Sequence, residues 1–163
     1  MTEAREWRLR NFGPGDLGHI AARQSALYAQ EWGWGQAMEA MIYDIAGKFL
    51  RDFQPGREQC WVAEREGKTL GGVFLCDEGN GTARLRLLYV EPDARGLGVG
   101  GALVRQCTAF AREVGYNRIV LMTHAVLDSA RKLYVAEGYT LISSEEQEEF
   151  GKREVTEHWQ LDL

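Results

Sequence analysis

The chain has 163 residues, 45% of them hydrophobic, which suits one compact domain that buries about two thirds of its unfolded surface. A formal charge of −5, with acidic residues spread along the chain and densest at "SSEEQEEF", argues against nucleic acid as the main partner and reads as a solvated run. No stretch approaches the ~20 apolar residues that span a bilayer, and "MTEAREWRLRNF" lacks the apolar run of a signal peptide, so a membrane partner is not expected and a cytoplasmic location is.

The elements are expected in the following order. A short strand around "EWRLRN" precedes a helix over 16–30, where Leu17, Ile20, Ala21, Gln24, Leu27 and Tyr28 recur at helical spacing behind Asp16. "EWGWG" interrupts it. Met38, Met41, Ile42, Ile45, Phe49 and Phe53 then form a second apolar stripe that stops before Pro55 and Gly56. "QCWVAERE", "LGGVFLCDE" and "TARLRLLYV" are strand-like runs joined by turns containing "EGK" and "EGNG", the pattern of an antiparallel meander. A long helix ending at Gly115, the apolar strand "RIVLMT", a helix "LDSARKLYVAEG" and strands around "YTLISS" and "VTEHWQLDL" complete the order β-αα-βββ-α-β-α-ββ. This predicts a single domain over 1–163 with no linker and no internal repeat. Cys60, Cys76 and Cys107 are odd in number and set in apolar segments, and read as buried thiols. His19, His124 and His158 show no ligand spacing, so no metal is expected.

"YVEPDARGLGVGGALV", 89–104, uses glycine heavily where a strand turns into a helix. Glycine costs conformational entropy, so the cluster needs a reason. A strand that feeds a helix through such a turn aims unpaired N–H groups and the positive end of the helix dipole at one spot, which suits a phosphate. Arg95 would add a charged donor there or fix the turn; a tight turn without ligand is the plain alternative. Gly96, Gly98 and Gly101 satisfy GxGxxG, while Arg95, Gly98 and Gly100 satisfy RxxGxG. The dinucleotide reading fails because Pro92 to Arg95 separate the glycines from the strand, "IVLMTH" ends without an acidic residue, and the preceding strands look antiparallel. A Walker loop fails because no Lys-Ser or Lys-Thr closes the glycines.

"LLYVEPDARGLGVGGALV" resembles the acetyl-coenzyme A motif of the GNAT superfamily of N-acetyltransferases, and "ARKLYVAEGY" resembles that family's AxxLYxxxGF, with Tyr139 in place of phenylalanine. Leu127 stands where the family commonly has asparagine. "LYAQEWGW" and "FGKREVTEHWQLDL" further resemble the GNAT domains fused behind MarR-type regulators. The resemblance implies an α/β (α+β) fold with a mixed, mostly antiparallel central sheet flanked by helices. It implies acetyl transfer from acetyl-CoA, as cosubstrate and without a metal, to a primary amine of a small molecule, peptide or protein.

On the same resemblance, backbone groups of Leu88, Tyr89 and Val90 hold the pantetheine arm. Arg95, Gly96, Leu97, Gly98, Val99, Gly100 and Gly101 cradle the pyrophosphate, Ser129 reaches the cofactor, and Tyr134 is the general acid. For the base, Glu31, Glu39 and Asp44 lie in the helical region that usually helps form the acceptor pocket. Arg84 and Arg86 put two cations in phase on one strand face, either to recognise a substrate carboxylate or to pair with a carboxylate such as Glu39. Tyr28, Trp32 and Trp34 either line the acceptor pocket or belong to the core. A non-catalytic acyl-CoA sensor is the alternative function, and a homodimer stays open.

Overall fold

The expected elements form in the expected order in the computed structural model, which describes residues 6–163. They are β1 (Arg8–Asn11), α1 (Asp16–Trp32), α2 (Gln36–Arg51), β2 (Gln59–Arg65), β3 (Lys68–Gly79), β4 (Thr82–Val90), a single 3-10 turn (Pro92–Ala94), α3 (Val99–Val114), β5 (Arg118–His124), α4 (Asp128–Glu137), β6 (Thr140–Glu149) and β7 (Lys152–Asp162). The described strands make one seven-stranded sheet in the order β1-β2-β3-β4-β5-β7-β6. Every pairing is antiparallel except β4 with β5. No described helix is long and apolar enough to cross a membrane.

Helices cover both faces. Leu17 and Ile20 of α1 and Phe49 of α2 bury against Cys60, Val62 and Phe74 on one side. Ala102, Leu103 and Cys107 of α3 bury with Ala83 and Leu85 of β4 and Ile119 of β5 on the other. Asp16 starts α1 by accepting from the Gly13 N–H at 2.7 Å and pairing with Arg10 at 2.7 Å. All three cysteines are free thiols; Cys60 and Cys107 are buried and Cys76 is half-buried.

The acidic run is solvated, as read from the sequence, and regular: "SSEEQEE" forms most of β6, an edge strand paired residue by residue with β7 and exposed along most of its length. The two segments that carried the likeness to MarR-fused domains meet in space. Trp34, fully buried, donates through Nε1 to Glu154 Oε1 at 2.9 Å, and Lys152 Nζ donates to the Trp32 carbonyl, so the β6–β7 hairpin is latched onto the α1–α2 turn.

The irregularity that matters most is in β4. Tyr89 and Val90 face Gly72 and Gly71 across the ladder and Arg86 faces Phe74, so Leu87 and Leu88 together oppose one residue, and Leu87 adopts φ 54. This is a bulge. It resets the alternation: Ala83 and Leu85 point to the α3 side and Arg84 and Arg86 to the other, then Leu87 shares the latter side while Leu88 and Val90 rejoin the α3 core. The glycines opposite permit the close approach, since a Cβ on Gly71 would lie 2.5 Å from the Tyr89 carbonyl oxygen.

Gly71→Ala should therefore lower stability by about 1–3 kcal/mol, because backbone rather than a flexible side chain has to move. Gly47→Ala, at a helical glycine with open space around it, should be neutral or gain about 0.5–1 kcal/mol. Urea midpoints of the two variants against the wild-type chain check both signs.

Candidate functional site

β4 and β5 are paired only from Thr82 to Arg84 against Arg118 to Val120. Beyond those positions the two strands separate, and the gap between them opens on both sides of the sheet. On one side lies a cleft of ≈ 760 Å³. Its walls are Leu88, Tyr89 and Val90 from β4, the loop residues Arg95, Gly96 and Gly98, the start of α3 at Val99, Gly100 and Gly101, and Ser129 at the start of α4. Of the residues expected to contact a cofactor, Leu97 alone is not part of this lining. Its side chain is exposed, and its carbonyl accepts from Trp7 Nε1 at 3.3 Å.

The glycine loop divides into two kinds of position. Gly96 and Gly98 have φ 82 and 80, with nothing within 4 Å of where a Cβ would be, so their backbone faces open space. The first helical hydrogen bond of α3 runs from Ala102 N–H to the Gly98 carbonyl, which leaves the preceding N–H groups at the helix start without helical acceptors. Gly100 lines the cleft and also serves packing: a Cβ there would meet Leu133 Cδ1 at 2.7 Å, so this glycine lets α3 approach α4. Arg95 Nη2 donates to Glu31 Oε1 at 2.9 Å across the mouth of the cleft, with both side chains substantially exposed.

On the other side lies a second cavity, lined by Met38, Met41, Ile42 and Ile45 of α2, Arg84 to Leu88 of β4, Met122 to His124 of β5, Gln24 of α1 and Tyr134 of α4. Tyr28, Leu88, Leu127 and Ala130 line both spaces, so the two adjoin at the opened strands. Tyr134 is in the second cavity rather than in the cleft. Burial pushes its phenol well above the usual tyrosine range, and the neighbouring Tyr28 phenol adds to the effect.

Several expectations are revised here. Glu39 and Asp44 are exposed on α2 and line neither space, and Glu31 is engaged with Arg95 on the cleft side. Arg86 makes no ion pair with Glu39 or with any other described carboxylate, whereas Arg84 pairs with Glu78 at 2.5 Å. Trp32 lines the cleft, while Trp34 belongs to the core.

His124, given no role from its spacing, is buried at the end of β5, with Nε2 2.9 Å from Glu149 Oε2 and its ring 4.9 Å from that of Trp34. A signal was present in "IVLMTH": a histidine closing an apolar strand just before a helix sits at the carboxyl end of a parallel pair, where α/β sheets bind ligands.

Comparisons with known proteins agree with this architecture. Residues 56–141 match the family model of the acetyltransferase (GNAT) domain. The chain is 34% identical over 109 residues to the probable N-acetyltransferase family 8 member 5 of Mus musculus, covering 64% of this chain and 46% of that protein. It spans about half the length of the curated relatives it matches. A ribosomal-protein-alanine N-acetyltransferase from Brucella melitensis has a TM-score of 0.77 at 20% identity, over 96% of this chain and 99% of that one. A putative acetyltransferase from Salmonella typhimurium, solved with its cofactor acetyl-CoA, has a TM-score of 0.75 at 18% identity, over 97% and 94%. At such identities these structures establish a shared fold.

The buried phenols make stability depend on pH. Tyr28, Tyr89, Tyr134 and Tyr139 are all raised above the usual range, mainly by burial, and Tyr116 is pushed up to about 12. An unfolded tyrosine ionises near ~10, so above that pH the unfolded chain has released protons that the folded chain retains. Stability present below about pH 10 should thus be lost as the pH rises through the raised values. Urea midpoints between pH 8 and 11 should fall, and tyrosinate absorbance at pH 10.5 should be markedly lower for the folded than for the unfolded chain.

Proposed function

The chain belongs to the GNAT family of acetyltransferases, and on that premise we propose that it transfers the acetyl group of acetyl-CoA to a primary amine by direct attack, with Tyr134 as general acid. The observation that carries the proposal is the adjacency of two spaces at the opened strands, which share four lining residues: a glycine-lined cleft with a helix N-terminus on one side, and an apolar, cation-bearing cavity with a buried phenol on the other. A thioester that spans both spaces brings its carbonyl to their junction at Tyr28, Leu88, Leu127 and Ala130.

In this reading the N–H groups at the start of α3 and the open backbone at Gly96 and Gly98 receive the pyrophosphate. Arg95 exchanges Glu31 for a phosphate oxygen, and Ser129 supplies a hydroxyl to the same side. Backbone groups of Leu88 to Val90 on the edge that β5 has left bind the pantetheine arm and polarise the carbonyl. Tyr134 keeps its proton at neutral pH and gives it to the departing sulfur. Arg86, a cavity cation without a carboxylate partner, selects acceptors that carry an anionic group beside an apolar body, and Tyr28 shapes the junction. A sensor that only binds acyl-CoA would need no such phenol beside an acceptor space.

Tyr134→Phe keeps the ring and removes the acid. Release of CoA thiol in the presence of an acceptor amine should slow by about 10²–10⁴-fold, with calorimetric CoA affinity unchanged. A loss under about tenfold, with chemistry limiting the rate, would leave Tyr134 a packing residue. No thiol release by the wild-type chain across amines, amino acids and peptides would refute the transfer reading itself.

Arg86→Ala should lower turnover of amino acids about 10–100-fold while sparing the corresponding decarboxylated amines, since a hydrogen bond to a charged group is worth about 1.5–3 kcal/mol. Paired rates on methionine and 3-(methylthio)propylamine measure the difference.

A further inference from the structure

The acetyl-transfer reading leaves one role empty, the group that takes the proton from the acceptor amine. We infer that His124, held by Glu149, fills it; the inference rests on that reading and extends it to a base on the acceptor side.

The titratable side chains that line the acceptor cavity are Tyr28, Arg84, Arg86, His124 and Tyr134. No carboxylate is among them. The two arginines are permanent cations and the two phenols are raised, so none of the four accepts a proton at neutral pH. Imidazole is the remaining side chain, and the one whose chemistry is proton exchange near neutrality. The acidic groups near the cofactor cleft do not compete. Glu31 and Asp128 line the cleft and not the acceptor cavity, and Asp128 is exposed beside Arg131 at 3.6 Å.

The local geometry favours a base. β5 is fixed to β7 through the last residue, with His124 opposite Thr156 and the Ala125 N–H donating to the Val155 carbonyl at 2.8 Å. The imidazole is packed against Trp34 and Phe150, whose ring centroids lie 4.9 and 5.7 Å away, so its plane is set. With Nε2–H donating to Glu149 Oε2 at 2.9 Å, the neutral ring carries its lone pair on Nδ1. Among the described residues Nδ1 has no hydrogen-bond partner, and it is not one of the fully enclosed unpartnered polar atoms, which are Gln24 Oε1, Ser25 Oγ, Trp32 Nε1, Tyr89 OH and Tyr139 OH. The Tyr134 hydroxyl has the same status. The residues that carry a proton acceptor on β5 and a proton donor on α4 therefore line one cavity.

The step balances between them. The amine lone pair forms the C–N bond to the thioester carbonyl carbon, and the C–S bond breaks with its electron pair on sulfur. One N–H proton goes to His124 Nδ1, and Tyr134 gives one proton to sulfur. Exchange through water returns a proton from the imidazolium to the phenolate, and Glu149 stabilises the imidazolium in the interval.

The test uses the full chain, acetyl-CoA and an amine that the wild type acetylates. His124→Ala should lower kcat by about 10²–10⁴-fold, leave CoA affinity unchanged, and be rescued at least tenfold, with saturation, by added imidazole. Glu149→Gln should lower kcat about tenfold with KM for the amine unchanged, and gain nothing from imidazole. Retention of His124→Ala activity within tenfold of wild type would overturn the inference, as would a loss in the folded variant that imidazole does not restore. If the alanine variant unfolds, Glu149→Gln decides, and an unchanged kcat there overturns it. A wild-type chain that acetylates no amine overturns the transfer reading and this inference together; an active wild type with an indifferent His124 overturns only the latter.

Discussion

The site depends on hydrogen bonds that the sheet does not make. A parallel pair that ran the full length of β4 and β5 would place the two strands side by side to their ends and leave no space between the helical layers. Here the pairing ends at Arg84 and Val120, and the bulge at Leu87–Leu88 turns β4 away. The sheet tolerates this because both strands are anchored on their other sides: β4 pairs with β3 down to Val90, and β5 pairs with β7 from Arg118 to His124. The backbone edge left on β4 has to find other partners, and a ligand amide chain is one that fits an extended edge.

The same departure sorts the electrostatics. A chain with a formal charge of −5 nevertheless concentrates cations where the strands part, with Arg84 and Arg86 on the acceptor side and Arg95 with the α3 N-terminus on the cleft side. The Arg95–Glu31 pair is exposed, and exposed pairs are worth about 0–1 kcal/mol, so the proposed exchange of Glu31 for a phosphate would cost little. Arg84 is already matched by Glu78, which leaves Arg86 as the unmatched charge in the cavity. The bulge contributes here too, because it is the phase before Leu87 that turns both arginines away from the α3 core.

How much of this could be read in the sequence follows from how local each signal is. The element order, the two helical layers and the glycine loop rest on neighbours within a few residues, and all appear as expected. What failed was non-local. The reason for Gly71 lies across the ladder at Tyr89, and Gly100, besides lining the cleft, is also required by Leu133 of another helix, neither of which local spacing reveals. Leu97 has the right position in the motif, yet its side chain points outward. Glu39 and Asp44 are on the right helix but on its solvent face, whereas His124 gains its meaning from Glu149, which a hairpin brings back from 25 residues away.

The stretch matched by the family model contributes unequally to the two spaces. The stretch that matches the family model, 56–141, contains β4, the glycine loop and α4, the elements that build the cofactor cleft. The second cavity takes part of its lining from outside it, from Gln24 and Tyr28 of α1 and Met38, Met41, Ile42 and Ile45 of α2, and the β6–β7 hairpin backs it through the contacts of Glu149 and Phe150 with His124 and of Glu154 and Lys152 with the α1–α2 turn. A common cofactor demands a common cradle, so its residues recur in one recognisable order. On the proposed transfer reading the other side answers to a different molecule, and there the flanks add α1 and α2 to the lining while Trp34 ties hairpin to helices and packs on His124. On the proposed reading, acceptor choice rests in part on how the hairpin docks on the α1–α2 turn, a tertiary contact whose two halves are 120 residues apart.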